Sequence, residues 1–265
     1  MKIRLATMED CDAIVSLWRS CFPGDREDAV RFYLDHRFKP DFTALLTVKK
    51  DVIGMIHLLP CLLYPDKKAL YWYASGIRED MRGRGYFRRF ALSVLSETQK
   101  RGFANVCVPA PGLTSVYRNF GFSYPYTANE SIVRRKDAVL SDQRVTFSNA
   151  APEDFLNSDP NRGDVLWDLS AIRYAFRDNE FYQGKELKFY DQGHLYRFFA
   201  VFENEIVTIE NHNISEEVFI RIQSSLFEEL SAETIRICFS GNTKIIGLSD
   251  SKLVTQGSKI SMSLA

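Results

Sequence analysis

The sequence of 265 residues lacks a net charge, paired cysteines and a long apolar run. Its 34 Lys and Arg balance 34 Asp and Glu, whereas dedicated nucleic-acid-binding proteins carry a strongly basic surface. The five cysteines are scattered and form no Cys-x-x-Cys pair, so we expect neither a disulfide framework nor a bound metal. The most apolar stretch, residues 52–64, is too short to cross a bilayer. We therefore expect no nucleic-acid partner and no membrane association.

The N-terminal residues also lack the features of a secretion signal. Residues 1–5 lead directly into an alternating, strand-like pattern, without a long apolar core or a cleavage site of small residues. Charged residues make up 26% of the chain and hydrophobic residues 45%, which is typical of a globular protein. Together with the unpaired cysteines, these features predict a cytoplasmic protein.

The neutral total conceals an uneven distribution of charge. Residues 1–136 contain 22 Lys and Arg against 14 Asp and Glu, and the remaining residues contain 12 against 20. Two halves that dock through opposite charge would explain this pattern. A basic half that binds a small phosphorylated ligand would explain it equally well.

Hydrophobic periodicity predicts an α+β fold for the first half. The expected order is a strand, two helices, three strands, a glycine-containing loop, a helix, a strand, a short helix and a strand. The helix after the loop has the clearest pattern, because its apolar residues recur at helical spacing: Phe87, Phe90, Ala91, Val94 and Leu95.

The second half is predicted to be a smaller α+β domain. Ser, Asn, Asp and Pro are frequent in residues 148–163, so we predict domains at 1–140 and 164–265 with a linker at 141–163. The pattern after the linker indicates a helix capped by Asp164, a hairpin, a second helix, a strand and a final strand pair. The predicted bounds of these elements are 164–177, 195–202, 205–210, 215–230, 234–239, 252–255 and 259–264.

The loop before the strongest helix contains the most informative motif, Arg82-Gly83-Arg84-Gly85. Glycines let the backbone approach a ligand closely, and the first N–H groups of a helix have no partner within the helix. With the helix dipole and two arginines, these groups form an anion site suited to pyrophosphate. A solvated basic loop would give the same short motif.

A second motif follows at Tyr117, with Gly121 and Phe122 four and five residues later. With the loop, it makes residues 2–135 resemble the GNAT superfamily of N-acetyltransferases, whose pyrophosphate loop reads [R/Q]-x-x-G-x-[G/A]. The resemblance implies a mixed, mostly antiparallel sheet flanked by helices. The element order after the linker is similar to the second domain of bacterial two-domain acetyltransferases.

The sequence departs from the family pattern at two places. Phe87 stands where the family has Gly or Ala; because Phe87 begins the apolar stripe of the helix, we expect its ring to point into the core. Residues 109–111 read Pro-Ala-Pro, where many relatives carry an Asn that helps hold substrate or cofactor.

The resemblance implies acetyl-CoA as the cosubstrate, with no metal, and assigns a role to each matching residue. Tyr117 would protonate the departing thiolate, although a half-buried aromatic residue packing under the loop would give the same motif. The pantetheine arm would pair with the strand near Gly76 and Ile77, whose backbone N–H groups would stabilise the oxyanion. The pyrophosphate would bind the six loop residues: Arg82, Gly83, Arg84, Gly85, Tyr86 and Phe87.

The sequence does not identify a general base. Glu79 and Asp80 adjoin the loop, while Glu130 and His57 lie on predicted strands. Each is more often a structural or solvated polar group, so none is named as catalytic.

The predicted activity is transfer of an acetyl group from acetyl-CoA to a small-molecule or peptide amine. Two enzymatic alternatives keep the fold but use another acyl-CoA or an aminoacyl-tRNA as donor. A third alternative is a catalytically degenerate CoA-binding sensor or interaction module. The sequence is also compatible with a homodimer.

Overall fold

The computed structural model describes residues 1–141, 144–156, 163–210, 213–255 and 258–260. They form two compact units, the first made of Met1–Pro125 with Gly247–Val254 and the second of the remaining residues. In each unit, mostly antiparallel strands pack against helices. The predicted α+β fold class is confirmed.

The first unit contains the elements that the sequence predicts for the first half. Its strands and helices, in chain order, are β1 Lys2–Leu5, α1 Cys11–Cys21, α2 Glu27–His36, β2 Thr43–Val48, β3 Asp51–Leu63, β4 Lys67–Ile77, α3 Tyr86–Lys100, β5 Ala104–Cys107 and α4 Thr114–Arg118. The strands from β1 to β4 are antiparallel neighbours, and β4 is parallel to β5. The core on the α3 side of the sheet includes Phe90 and Leu95 of α3, as the periodicity predicts.

The second unit contains the remaining elements. They are β6 Tyr124–Arg134, which begins in the first unit, then β7 Ser148–Asn149, β8 Val165–Leu166, α5 Leu169–Phe181, β9 Lys185–Asp191, β10 His194–Glu203, β11 Ile206–Glu210, α6 Glu216–Leu230, β12 Thr234–Ser240 and β13 Lys244–Ser249. Six of these strands are neighbours in the order β6-β12-β11-β10-β9-β7. The apolar face of α6 covers one side of these strands.

These units differ from the predicted domain bounds. The second unit starts at Tyr126, within β6, and residues 247–254 belong to the first unit. Strand pairing explains the return of the C-terminal segment, because Leu248 and Ser249 pair with β5. Of the predicted linker, residues 142–143 and 157–162 lie outside the described residues.

Two local predictions in the second half were wrong, and one strand was missed. Asp168, not Asp164, caps α5, because its side chain accepts the N–H of Ala171 at 2.7 Å. Strand β9 was not predicted. Residues 252–255 form a turn and irregular backbone instead of a strand, and the strand before them is β13. The other predicted strand, 259–264, lies mostly outside the described residues.

Candidate active site

The site begins where β4 extends beyond its neighbour β5. The two strands pair from Ala69 with Ala104 as far as Trp72 with Cys107, where β5 ends, and β4 continues to Ile77. Among the described residues, the last part of β4 therefore has no strand partner on the β5 side. Such an edge offers main-chain hydrogen bonds to an extended ligand.

Ile77 directs its N–H toward this open side. Arg78 donates its N–H to the carbonyl of Ile53 on β3, with an N–O distance of 2.8 Å. Peptide groups of successive residues in an antiparallel strand point to opposite sides. The N–H of Ile77 therefore points away from β3, into the space that β5 leaves open.

Gly76 has a packing role that the sequence did not indicate. A Cβ at this position would lie 2.8 Å from the Sγ of Cys21 and 3.0 Å from its Cβ. Because Cβ atoms essentially never approach heavy atoms closer than 3.0 Å, only glycine lets the end of α1 lie this close to β4.

The predicted phosphate loop forms the start of α3, with two glycines in left-handed backbone conformation. Gly83 has φ 74° and Gly85, the N-cap of α3, has φ 72°. A Cβ at either residue would meet no atom of the protein within 4 Å. Among the described residues no side chain caps the helix, which leaves its first N–H groups without a side-chain partner, as binding of an anion there would require.

The two arginines of the loop differ in their contacts. Arg82 donates from Nε to the carbonyl of Ile77 at 3.1 Å and from one terminal nitrogen to the carbonyls of Ser20 at 3.3 Å and Cys21 at 3.4 Å. It therefore ties the loop to β4 and α1. Arg84 is exposed, with its guanidinium 3.8 Å from the sulfur of Met81. Of the two, Arg84 is the freer to contact a phosphate.

Phe87 packs inward, as its place in the apolar stripe predicts. It is partly buried against the core on the α3 side. Its ring centroid lies 5.8 Å from that of Phe120 and 6.1 Å from that of Tyr117, both in edge-to-face geometry. Tyr86 is also partly buried against this core. The loop and Tyr117 are therefore joined by direct aromatic contact.

Tyr117 lies on α4 and is only 6% exposed. Burial raises the pKa of its phenol, the Cys107 thiol raises that pKa further, and the Ser75 hydroxyl lowers it. The phenol therefore stays protonated at neutral pH, as a proton donor must. Ser75, on the last part of β4, was not singled out in the sequence, because a lone serine in a strand gives no signal.

Three of the four candidate bases have other partners, and the fourth, Glu79, is exposed. His57 is fully buried and its Nδ1 lies 3.0 Å from the hydroxyl of Tyr33; burial lowers its pKa to about 3. Asp80 pairs with Arg78, and Glu130 lies in the second unit, paired with a lysine. Glu79 is exposed beside the loop, and its N–H donates to the Oγ of Ser20.

Comparison with known proteins identifies the domain that holds this site. Residues 2–125 match the family model of the acetyltransferase (GNAT) domain. This segment is a GNAT acetyltransferase domain. The matched residues include β4, the loop, α3 and Tyr117. The general activity of a GNAT domain is transfer of an acyl group from acyl-CoA. No curated protein sequence matches the chain.

Solved structures share the fold over most of the chain. One is a conserved protein of unknown function from Enterococcus faecalis V583, a probable N-acyltransferase, with 12% identity and a TM-score of 0.69 over 94% of this chain and 72% of that one. Another is a GCN5-related N-acetyltransferase from Anabaena variabilis, with 14% identity and a TM-score of 0.67 over 94% of this chain and 70% of that one. At such identities the likeness concerns the fold.

A further similar structure, the N-myristoyltransferase of Saccharomyces cerevisiae, contains bound myristoyl-CoA. It has 9% identity and a TM-score of 0.54 over 94% of this chain and 81% of that one. No helix among the described residues is long and apolar enough to span a membrane. All five cysteines are free thiols.

Proposed function

We propose that the protein transfers an acetyl group from acetyl-CoA to a primary amine by direct attack of the amine on the thioester. The observation that supports this most is the contact of three groups within one GNAT domain. The glycine loop at the start of α3 bonds to the end of β4 through Arg82 and packs on Tyr117 through Phe87.

The proposed binding mode uses the start of α3 and the end of β4. The pyrophosphate would bind the first N–H groups of α3, beside the exposed guanidinium of Arg84. The pantetheine arm would lie along the end of β4, where β5 no longer pairs. Bound in this way, acetyl-CoA would extend from the loop, past Ile77, to the buried phenol of Tyr117.

In the proposed reaction, the amine nitrogen forms a bond to the thioester carbon, and the carbonyl oxygen becomes an oxyanion. The N–H of Ile77 would stabilise that oxyanion. The carbon–sulfur bond then breaks, and the sulfur takes the proton of the Tyr117 phenol. Because His57, Asp80 and Glu130 are engaged elsewhere, we propose that water removes the proton of the attacking amine. The free cysteines favour a reducing, cytoplasmic location.

The test combines binding with turnover. Titration calorimetry with acetyl-CoA should detect a complex, and a panel of small amines, aminoglycosides and peptides with free N-termini should show which acceptors release CoA thiol. Tyr117→Phe should lower kcat by about tenfold or more, because general acids contribute about 10²–10⁴-fold, and should leave acetyl-CoA affinity unchanged. Tyr124→Phe, at an exposed tyrosine, is the matched control.

The outcomes separate enzyme from binding module. Unchanged turnover in Tyr117→Phe would refute the role of the tyrosine. Acetyl-CoA binding without turnover of any amine would favour the CoA-binding module. Absence of acetyl-CoA binding would refute the proposed function as a whole.

A further inference from the structure

Ser75 has a buried hydroxyl without a hydrogen-bond partner. Its Oγ is shielded from solvent, and no described group donates to it or accepts from it within hydrogen-bond geometry. Buried polar side chains are almost always paired, and those that are not call for a functional explanation. The position of Ser75 on the last part of β4 places this hydroxyl beside the proposed thioester site.

A β-bulge in β4 brings this side chain to the side of the sheet on which Tyr117 packs. Between Met55 and His57 of β3, the register advances by three residues on β4, and Ala74 has φ 43°. Side chains two apart on a regular strand share a face. The extra residue instead lets Tyr73 face α1, with its ring 5.6 Å from that of Trp18. Ser75 lies two residues before Ile77, whose side chain belongs to the same core cluster as Tyr117, so Ser75 is on the side of the sheet where Tyr117 packs.

Ser75 supplies a hydroxyl that lowers the pKa of the phenol. Other described neighbours of Tyr117 include the rings of Phe87, Phe120 and Phe122 and the thiol of Cys107. Rings donate no hydrogen bond to an oxygen, and a thiol is a weak donor. Catalytic hydrogen bonds in ligand-free proteins are often long or poorly aligned and tighten when substrate binds.

We propose that Ser75 is a positioning residue for Tyr117, donating its hydroxyl proton in a hydrogen bond to the phenol oxygen. This bond would leave the phenol proton free to point at the sulfur of the departing CoA. When the carbon–sulfur bond breaks, the sulfur takes that proton, and Ser75 stabilises the phenolate until it regains a proton from water. The inference rests on the proposed role of Tyr117 as the acid.

The electrostatics of the phenol agree with this role. Burial and the Cys107 thiol raise the pKa of Tyr117, and Ser75 lowers it, because its hydroxyl favours the phenolate. Cys107 is the titratable group that faces the phenol, and Asp250 acts in turn on Cys107. Ser75 would therefore make it easier for the Tyr117 phenol to lose its proton during the reaction, while the phenol stays protonated before the reaction.

The test uses kinetics with acetyl-CoA and the fastest amine of the panel. Ser75→Ala should lower kcat by about tenfold, since a hydrogen bond to a charged group contributes about that factor or more, with the KM for acetyl-CoA unchanged. Ser75→Thr, which keeps the hydroxyl, should restore most of the rate, and Ser75→Cys, a weaker donor of similar shape, should be intermediate. Ser115→Ala, at an exposed serine on α4, is the control.

A double-mutant cycle distinguishes the inference from the proposed function. In the Tyr117→Phe background, Ser75→Ala should cause no further loss, because the serine acts through the tyrosine. If the two losses multiply, or if Ser75→Ala is as fast as the wild type while Tyr117→Phe is slow, the role of Ser75 is refuted and that of Tyr117 stands. If Tyr117→Phe is itself as fast as the wild type, both assignments fail.

Discussion

Gly85 allows the charge of the bound ligand to be tested with a matched pair of substitutions. Gly85→Asn and Gly85→Asp introduce side chains of nearly equal size. At φ 72°, Asn and Asp are the non-glycine residues that tolerate the backbone best. A side chain here meets no protein atom within 4 Å of its Cβ. The two variants therefore differ in one negative charge beside the start of α3.

The size of the effect follows from Coulomb's law. A carboxylate about 5 Å from a pyrophosphate charge, at an effective dielectric constant of about 20, costs about 3 kcal/mol. That energy corresponds to a loss of affinity of about 100-fold. We expect Gly85→Asn to bind acetyl-CoA within about tenfold of the wild type, because it adds bulk but no charge, and Gly85→Asp to bind about 100-fold more weakly than Gly85→Asn.

Titration calorimetry at low and high salt measures this difference. Salt screens exposed charges, so the gap between the two variants should narrow as ionic strength rises. Thermal unfolding of both variants checks that the domain stays folded. Equal affinities of Gly85→Asp and Gly85→Asn for acetyl-CoA would refute the placement of the pyrophosphate at this loop, even if the protein binds the cosubstrate elsewhere.

Three further predictions concern the scaffold of the site and use urea unfolding. Asp10→Asn should lower the free energy of unfolding at pH 7 by about 2 kcal/mol. The hydrogen bonds from Arg4 hold the pKa of this carboxyl at about 2. Its stabilisation of the fold is therefore present above the unfolded pKa near 4 and is lost as pH falls toward 2. A difference in unfolding free energy between variant and wild type that stays constant from pH 6 to pH 2 would contradict this assignment. Gly76→Ala should destabilise the fold by about 1–3 kcal/mol by overpacking, and Cys21→Ala should restore part of the loss; no restoration would place the clash elsewhere. Asp250→Ala should lower the free energy of unfolding by about 2–3 kcal/mol. The carboxylate accepts one hydrogen bond from Gln99 and two from Asn105 on β5. Stability equal to the wild type would show that these bonds contribute nothing.

The order of elements in the first unit was predictable because its signals are local. The apolar stripe of α3 and the glycines before it depend on residues close together in the chain, and the structure has both where the periodicity indicates. The inward ring of Phe87 followed from the same stripe. Such patterns need no knowledge of distant partners.

The unpredicted features depend on contacts between residues far apart in sequence. The role of Gly76 is set by Cys21, 55 positions earlier. The return of residues 247–254 to the first unit is set by pairing with β5. The side of the sheet that Ser75 faces depends on a bulge, which appears only in the register between β3 and β4. No periodicity within one segment carries this information.

Phe87 illustrates how a departure from a family motif can have a structural consequence. A small residue at this position would end the loop without touching Tyr117, whereas the phenylalanine ring contacts the rings of both Tyr117 and Phe120. One aromatic cluster therefore connects the start of α3, whose N–H groups would hold the pyrophosphate, with Tyr117, whose phenol would protonate the thiolate. Because close-packed cores respond to small changes in volume, a change in the loop that shifts Phe87 should also shift Tyr117. In this GNAT domain, cosubstrate affinity and turnover are therefore expected to respond together to substitutions at Phe87, although its side chain contacts neither phosphate nor thioester in the proposed binding mode.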